Sequence, residues 1–139
     1  MTISNRSVVR RFYDEVLNHD KPEVADEIVA PDFVVHGGLP NQATGPEALK
    51  ATGRMLRSGF ADLRFTIDDL VAEGDRVAVR WTMEATHTGD YFGIPATGRS
   101  IDLHAIVIFR VVNGQLTELW PLVDHPSLRR QLEAPAVAS

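Results

Sequence analysis

The sequence contains no cysteine, and this absence removes several kinds of chemistry at once. Disulfide bonds, thiolate nucleophiles and cysteine-ligated metals are excluded. Long apolar runs are missing too, since none approaches the ~20 residues that a membrane-spanning helix needs. The first residues lack the apolar stretch of a signal peptide. We therefore expect a cytoplasmic protein with no membrane partner.

An excess of positive charge is also absent. Lys and Arg total 14 against 19 Asp and Glu, which gives a net charge of −5. Nucleic acids require a basic surface, so none is expected as a partner. Glycine-rich phosphate-binding motifs and the G-x-S-x-G motif of serine hydrolases are missing as well. Asp102 and His104 alone have metal-ligand spacing, and two ligands are too few, so we predict neither a metal nor a cofactor.

What is present is an ordinary globular composition, with 139 residues of which 44% are hydrophobic. This length predicts one domain over residues 1–139, with a frayed tail at 134–139. Apolar residues at helical spacing predict a first helix over residues 4–19, and Pro22 opens a second. Thr44 and Glu47 have the spacing of a capping box and predict a third helix.

Strand signals dominate the rest of the chain. They predict a short strand at 33–36, a hairpin at 63–87 and a second hairpin at 99–124. A last short helix is expected at 126–132. Helices followed by antiparallel strands indicate an α+β fold. We expect a curved antiparallel or mixed sheet wrapped around three N-terminal helices, which gives a cone with an internal pocket.

Asp124 is the first candidate for chemistry, because it ends a strand that contains Trp120 and Pro121. A carboxylate beside apolar side chains loses solvation, and its pKa rises. A general acid or base that works near neutral pH needs this shift. Asp124 also stands where it can cap the last helix, in which Pro126 occupies the first turn. The two roles are compatible.

His104 is the second catalytic candidate, and its direction depends on the turn at Asn113-Gly114. A two-residue type I′ turn pairs Leu103 with Asp124 and turns His104 away from it. A three-residue loop with Gly114 as a bulge pairs His104 with Leu122 and Ile106 with Trp120, so that all share a face with Asp124. Turn preferences favour the second register. The other interpretation of His104 is a residue on the solvent or dimer face.

Further side chains are expected to line the pocket and bind substrate. They are His36, Trp120, Trp81, His87, Phe33 and Tyr13. The alternative is that the histidines bond to loop backbone and the aromatics simply fill the core. Glu118 is either a second buried carboxylate or the ion-pair partner of Arg110, and the ion pair is favoured.

Several segments together resemble a known family. They are HTGDYFGIPATGR at 87–99, IFRVVNGQLTELW at 108–120 with Asp124 and RQL after it, VVRRFYDEVLN at 8–18 and PDFVVHG at 31–37. These segments resemble SnoaL-like polyketide cyclases, which have the nuclear-transport-factor-2-like fold. The resemblance implies a homo-oligomer, a dimer or tetramer, commonly built on the outer sheet face. It also implies ring closure by intramolecular aldol condensation without a metal or cofactor, with Asp124 as the acid and His104 or His36 assisting.

The expected function is therefore acid–base catalysis on a small apolar or aromatic ligand that carries carbonyl groups. Asp124 would remove a proton α to a carbonyl, and the enolate would attack a second carbonyl held nearby. One alternative is an isomerase or epoxide hydrolase that uses Asp32, Asp68 or Glu84. The other is a non-catalytic module for ligand binding or dimerisation.

Overall fold

The computed structural model of the protein describes residues 4–37 and 43–133. The predicted tail at 134–139 lies outside these residues. The first helix, α1 (Asn5–Arg11), begins at Ser4, whose side chain accepts the Ser7 N–H at 3.1 Å. It continues as a π-helix over Phe12–Asn18. The wider turn is visible where the His19 N–H donates to Asp14 O, five residues back, at 3.0 Å.

The next two helices differ in length. A 3₁₀ turn (Pro22–Val24) leads into the single turn of α2 (Ala25–Ile28), whereas α3 (Pro46–Gly59) has 14 residues. The predicted capping box at the start of α3 is wrong. Gly45 is the N-cap, with φ of 70° and no side-chain cap bond. A Cβ at Gly45 would lie 2.7 Å from Pro31 O, so the close approach of the two chain segments requires glycine here.

The sheet has five strands in the spatial order β1-β5-β4-β3-β2. They are β1 (Val29–Val35), β2 (Phe60–Glu73), β3 (Arg76–His87), β4 (Ser100–Val112) and β5 (Gln115–Val123). Strand β1 runs parallel to β5, and the other neighbours are antiparallel. The predicted α+β fold with a mixed sheet is confirmed. The edge position of β1 explains why its Pro31, which has no N–H to donate, is tolerated.

One face of the sheet lies under the helices, and the other is exposed. Alternate residues of β4 show this directly: Leu103, Ala105 and Val107 are buried, whereas His104 and Ile106 are exposed. The strand period of two residues places successive side chains on opposite faces. We call the face under the helices the inner face and the other the outer face. The inner face and the helices form one hydrophobic core.

A last helix, α4 (His125–Glu133), closes the sheet where β5 ends. Its Leu128 and Leu132 are buried in the core. The Gln131 side chain takes the place of a neighbouring strand, because its Nε2–H donates to Asp102 O at 2.7 Å while its Oε1 accepts the Asp102 N–H at 3.0 Å. Among the described helices, none is long and apolar enough to cross a membrane.

The β4–β5 hairpin corrects the preferred register. Asn113 and Gly114 both have positive φ, 51° and 76°, and Val112 lies opposite Gln115. This is the two-residue turn of the I′ kind, so the predicted three-residue loop is wrong. The pairing then shifts by one residue: Val111 lies opposite Leu116, whereas Arg110 lies opposite Glu118. Thr117, between them, is an extra residue, and it forms a β-bulge.

Because of the bulge, the side chains that were predicted to share one face of the hairpin do share it, although they pair differently from the prediction. Ile106 lies opposite Leu122, and Ile108 lies opposite Trp120. The predicted pairs of His104 with Leu122 and of Ile106 with Trp120 are therefore wrong, although these side chains do share one face. That face is the outer one, since Leu122 is 76% exposed.

Candidate active site

The structure separates the predicted site residues into two groups. Four are buried in the interior, and they are Tyr13, Phe33, Trp81 and His87. Four lie on or beside the outer face, and they are His36, His104, Trp120 and Asp124. Of the first group, Tyr13 lines a groove that opens to the surface. The expectation that His36 and Trp120 line the pocket is wrong, because both lie on or beside the outer face, and His104 takes the solvent-facing position that was its alternative.

Asp124 is exposed, and it caps α4. Its Oδ1 accepts the Ser127 N–H at 3.2 Å, and its own N–H donates to His104 O at 2.9 Å. The capping role is thus confirmed, and catalysis by Asp124 stays a prediction. Among the described residues, Oδ2 has no hydrogen-bond partner, so capping leaves one carboxylate oxygen available.

His104 is held from one side by a short chain of hydrogen bonds. The Thr82 hydroxyl donates to Asp68 Oδ2 at 2.6 Å, and Thr82 Oγ1 lies 3.1 Å from His104 Nδ1. Because the hydroxyl proton goes to the carboxylate, Nδ1–H is the donor to Thr82 and the neutral ring keeps its lone pair on Nε2. Asp68 therefore orients His104. Together with Asp32 and Glu84, the other acids considered for isomerase or hydrolase chemistry, it belongs to the exposed residues.

Trp120 and His36 form a stacked pair on the outer face. The ring centroids are 4.8 Å apart with 13° between the planes, and the Arg76 guanidinium lies 4.7 Å from the Trp120 centroid. Glu118 bonds His36 at 3.0 Å and Arg110 at 3.3 Å, which confirms the predicted ion pair. The hydrogen bond from His36, and then the one from Arg110, holds the pKa of Glu118 below its usual value. These contacts tie β1, β4 and β5 together.

The interior contains a cluster of aromatic rings around Tyr13. Tyr13 lies 5.7 Å from Phe65, 6.0 Å from Phe109 and 6.3 Å from Trp81, centroid to centroid. Burial raises the pKa of the Tyr13 phenol, and the nearby Trp81 indole offsets part of this shift. Trp81 Nε1 nevertheless lacks a partner with hydrogen-bond geometry. A buried N–H without an acceptor is costly, which marks it as a donor suited to a bound oxygen atom.

A groove reaches this cluster from the surface between the π-helix and β2. Its volume is about 310 Å³, and its walls are Arg10, Tyr13, Asp14, Asn18, Phe65 and Ile67. We call it the Tyr13 groove. Asn18 anchors β2 at this point, since its Nδ2–H donates to Phe65 O at 2.9 Å and its Oδ1 accepts the Phe65 N–H at 2.7 Å.

Sequence reasoning found Tyr13 but missed the other residues of the groove. Arg10 lies near the end of α1 and Asp14 in the π-helix that continues it, and residue propensities do not distinguish a π-helical segment from an α-helix. The one available signal was the run of polar residues, Arg10, Asp14 and Asn18, that borders the apolar stripe at helical spacing.

His87 is the other interior group with an unpaired nitrogen. It is 0% exposed, and the Thr97 N–H donates to its Nδ1 at 3.2 Å. The neutral ring therefore carries its proton on Nε2, which has no hydrogen-bond partner. The backbone of His87 also binds the loop that follows β3, through Arg99 O and the Gly98 N–H, each at 2.8 Å. His87 thus combines a buried donor with a structural role.

A second cavity of about 420 Å³ lies between α3 and the preceding helices. Three cations line it, and each already has a carboxylate partner. The pairs are Lys50 with Asp26, Arg54 with Glu47 and Arg57 with Asp20. This cavity therefore presents no uncompensated charge to a ligand.

Comparison with known proteins now places the chain. The family model for the SnoaL-like polyketide cyclase matches residues 7–132. The chain belongs to this family. Two curated relatives are aklanonic acid methyl ester cyclases, DauD from Streptomyces sp. (strain C5) and DnrD from Streptomyces peucetius. Each is 28% identical over 134 residues, which cover 92% of this chain and 81% and 90% of the two relatives.

Solved structures confirm the fold of this SnoaL-like chain. TsrD from Streptomyces laurentii superposes with a TM-score of 0.83 at 31% identity, covering 96% of this chain and 100% of TsrD. IdmH from Streptomyces antibioticus gives a TM-score of 0.81 at 27% identity, covering 94% of this chain and 99% of IdmH. The family resemblance inferred from the sequence segments is therefore confirmed.

In this SnoaL-like chain, the sheet register relates the interior donor to the candidate acid. Trp81 lies opposite Ala105, and Ala105 lies opposite Val123, the residue before Asp124. Neighbouring strands are about 4.8 Å apart, so the Asp124 backbone is roughly 10 Å from that of Trp81. Ala105 is the smallest side chain in the row. The Trp81 side chain points to the inner face, whereas Asp124 lies beside His104 on the side of the outer face, so a substrate that contacts both groups must extend past the end of β5.

Proposed function

We propose that this protein closes a ring in a small apolar or aromatic carbonyl compound by intramolecular aldol condensation. The observation that carries the proposal is the buried, unpartnered N–H of Trp81, whose ring lies 6.3 Å from that of Tyr13, the residue that lines the groove. Such a donor suits a carbonyl oxygen that becomes an enolate, because hydrogen bonds to developing charge are strongest where water is excluded. Membership of a cyclase family supports the same reaction class.

Asp124 acts as the general acid and base in this proposal. Its carboxylate breaks a C–H bond α to one carbonyl and takes the proton, and the enolate carbon then forms the new C–C bond to a second carbonyl. Asp124 returns the proton to the resulting alkoxide, so no cofactor is consumed. The free Oδ2 and the position at the end of β5 support this role. His104, whose carbonyl oxygen accepts the Asp124 N–H, is the second titratable group of the site.

The test uses aklanonic acid methyl ester, the compound named for the curated relatives, as the probe substrate. Asp124→Asn and Asp124→Ser both keep a good N-cap for α4, so folding is preserved. Loss of general acid–base catalysis predicts a decrease in kcat of about 10²–10⁴-fold in both variants. Asp102→Asn, a change at another exposed acid on the outer face, is the matched control. Turnover by Asp124→Asn at the wild-type rate would refute the acid–base role.

We also propose that the protein is a homodimer, or a tetramer that contains this dimer, built on the outer face. Ile106, Ile108 and Leu122 are adjacent across β4 and β5, and they are 52%, 40% and 76% exposed. A contiguous apolar patch of this kind typically marks an interface. Ile106→Lys should shift the mass in sedimentation equilibrium to that of a monomer. Phe92→Lys, which changes an apolar residue of 51% exposure in the loop after β3, away from the outer face, should leave the mass unchanged.

The same patch favours a second candidate function, a dimerisation module that binds ligand without catalysis. The two candidates differ in one measurement. A catalyst consumes the probe and loses this activity with Asp124→Asn, whereas a binding module takes up the probe and returns it unchanged.

A further inference from the structure

We infer that the Tyr13 groove binds an apolar ring compound that carries a carboxylate, with Arg10 as the residue that binds the anion. This inference rests on the proposed function, since it names the substrate class for the same interior site. Its starting point is the guanidinium of Arg10, which lines the groove and is exposed. Within the part of the chain that the structure describes, it has neither an ion pair nor a hydrogen bond.

None of the neighbouring acids that the structure describes forms an ion pair with Arg10. Asp14 also lines the groove, one helical turn beyond Arg10, a spacing at which an ion pair is common. Its Oδ1 instead lies 3.5 Å from His19 Nδ1, which bonds the backbone oxygen of Asp14 at 2.8 Å. Glu15 and Glu27 bind Arg11, at 2.5 Å and 3.0 Å. Arg10 therefore has no bound counter-ion at the groove, and an anionic ligand would bind on the Arg10 side of the lining, away from the Asp14 carboxylate.

The residues at the floor of the groove indicate that the part of the ligand beyond the carboxylate is apolar. Phe65 and Ile67 present apolar surface, and the ring of Tyr13 lies 5.7 Å from that of Phe65. The amide of Asn18 is used by the Phe65 backbone and offers little to a ligand. A volume of about 310 Å³ is at the lower end of small-molecule pockets, and it suits a bicyclic ring.

The pairing of arginine with carboxylate gives the inference its specificity. A guanidinium binds a carboxylate through two parallel N–H···O bonds, which a methyl ester cannot match in charge or geometry. A free acid should therefore bind more tightly than its ester. This preference would distinguish the chain from its Streptomyces relatives, which are cyclases of a methyl ester.

The probes are 2-naphthoate and methyl 2-naphthoate, with affinities measured by isothermal titration calorimetry. Wild-type protein should bind the acid at least tenfold more tightly than the ester. Arg10→Gln should abolish this preference and leave ester binding unchanged. Arg6→Gln is the matched control, because Arg6 is also an exposed cation of α1 but does not line the groove.

Equal affinity of the wild-type protein for acid and ester would overturn the inference. An equal loss of acid binding in Arg6→Gln and Arg10→Gln would also overturn it, since the effect would then be one of overall charge. Asp124→Asn separates the two proposals, because it should abolish turnover and leave naphthoate binding intact. If that variant stays active while Arg10→Gln loses the preference, the proposed function fails and the groove inference stands.

Discussion

Gly89→Ala is a stringent test of how the loop after β3 is held against the rest of the fold. Gly89 follows the turn at His87 and lies against the end of α3. A Cβ at this position would lie 2.1 Å from Ser58 O and 3.2 Å from Ser58 C. Both atoms belong to backbone, so no side-chain rotation relieves the overlap. The loop must move away from α3 by about an ångström or more.

The expected loss of stability follows from the hydrogen bonds that this movement of the loop breaks. The Thr88 and Gly89 N–H groups both donate to Gly59 O, at 3.0 Å and 3.1 Å. Each such bond contributes about 1 kcal/mol net, and the displaced backbone adds steric strain of about 1–3 kcal/mol. We therefore expect the free energy of unfolding to fall by about 3 kcal/mol, which lowers Tm by roughly 6–12 °C for a chain of this size.

Gly53→Ala is the control with the opposite expected sign. Gly53 lies inside α3, and its added Cβ would meet Arg57 Nη1 and Leu17 Cδ2 at 3.7 Å, an ordinary contact distance. Alanine is favoured over glycine in a helix by about 1 kcal/mol. Thermal and urea unfolding, followed by circular dichroism, give both values. The packing argument fails if Gly89→Ala melts with the wild-type protein, or if Gly53→Ala is the less stable variant.

Further expectations concern the core and the outer face. Phe109→Ala removes a ring of 0% exposure, so it should lower the free energy of unfolding in urea by about 3–5 kcal/mol. The substitution Glu118→Gln should change the free energy of unfolding only at pH values above those at which Glu118 titrates. Because His36 and Arg110 lower its folded pKa, Glu118 stabilises the fold above its ordinary pKa, and this contribution is lost as pH falls through the folded pKa. Urea midpoints of wild type and variant should therefore differ at pH 6 and approach each other as the pH falls below the ordinary range of a glutamate carboxyl; a constant difference contradicts this assignment. Trp81→Phe, which removes the unpaired N–H, should lower kcat on the probe substrate with little change in Tm.

Much of the fold follows from local patterns that the sequence carries without ambiguity. Apolar residues at helical spacing indicated the first helix, and alternating apolar residues along β3 and β4 indicated strands with one buried face. Asn113-Gly114 predicted a hairpin turn, because both residues tolerate positive φ. These features depend on neighbours in the chain, and so they can be recognised before any tertiary contact is known.

The β-bulge at Thr117 can be predicted from the spacing of the apolar residues in β5. Leu116 and Leu119 are both buried, yet they are three residues apart, and a regular strand cannot turn both to one face. An extra residue between them solves this problem. The length of the loop alone therefore does not determine the register of the β4–β5 hairpin, since the register depends on the bulge as well as on the turn.

The positions of Asp124 and His104 show what only the tertiary structure decides. The sequence by itself determined that they are neighbours, since the hairpin brings their two strands together. It did not determine which sheet face they share, because that depends on where the helices pack. The helices cover the face of Leu103 and Ala105, which leaves His104 outside and Trp81 inside with its unpaired N–H. Burial is a property of the whole packed chain, and it decided which of the candidate residues lie in the interior and which lie on the outer face.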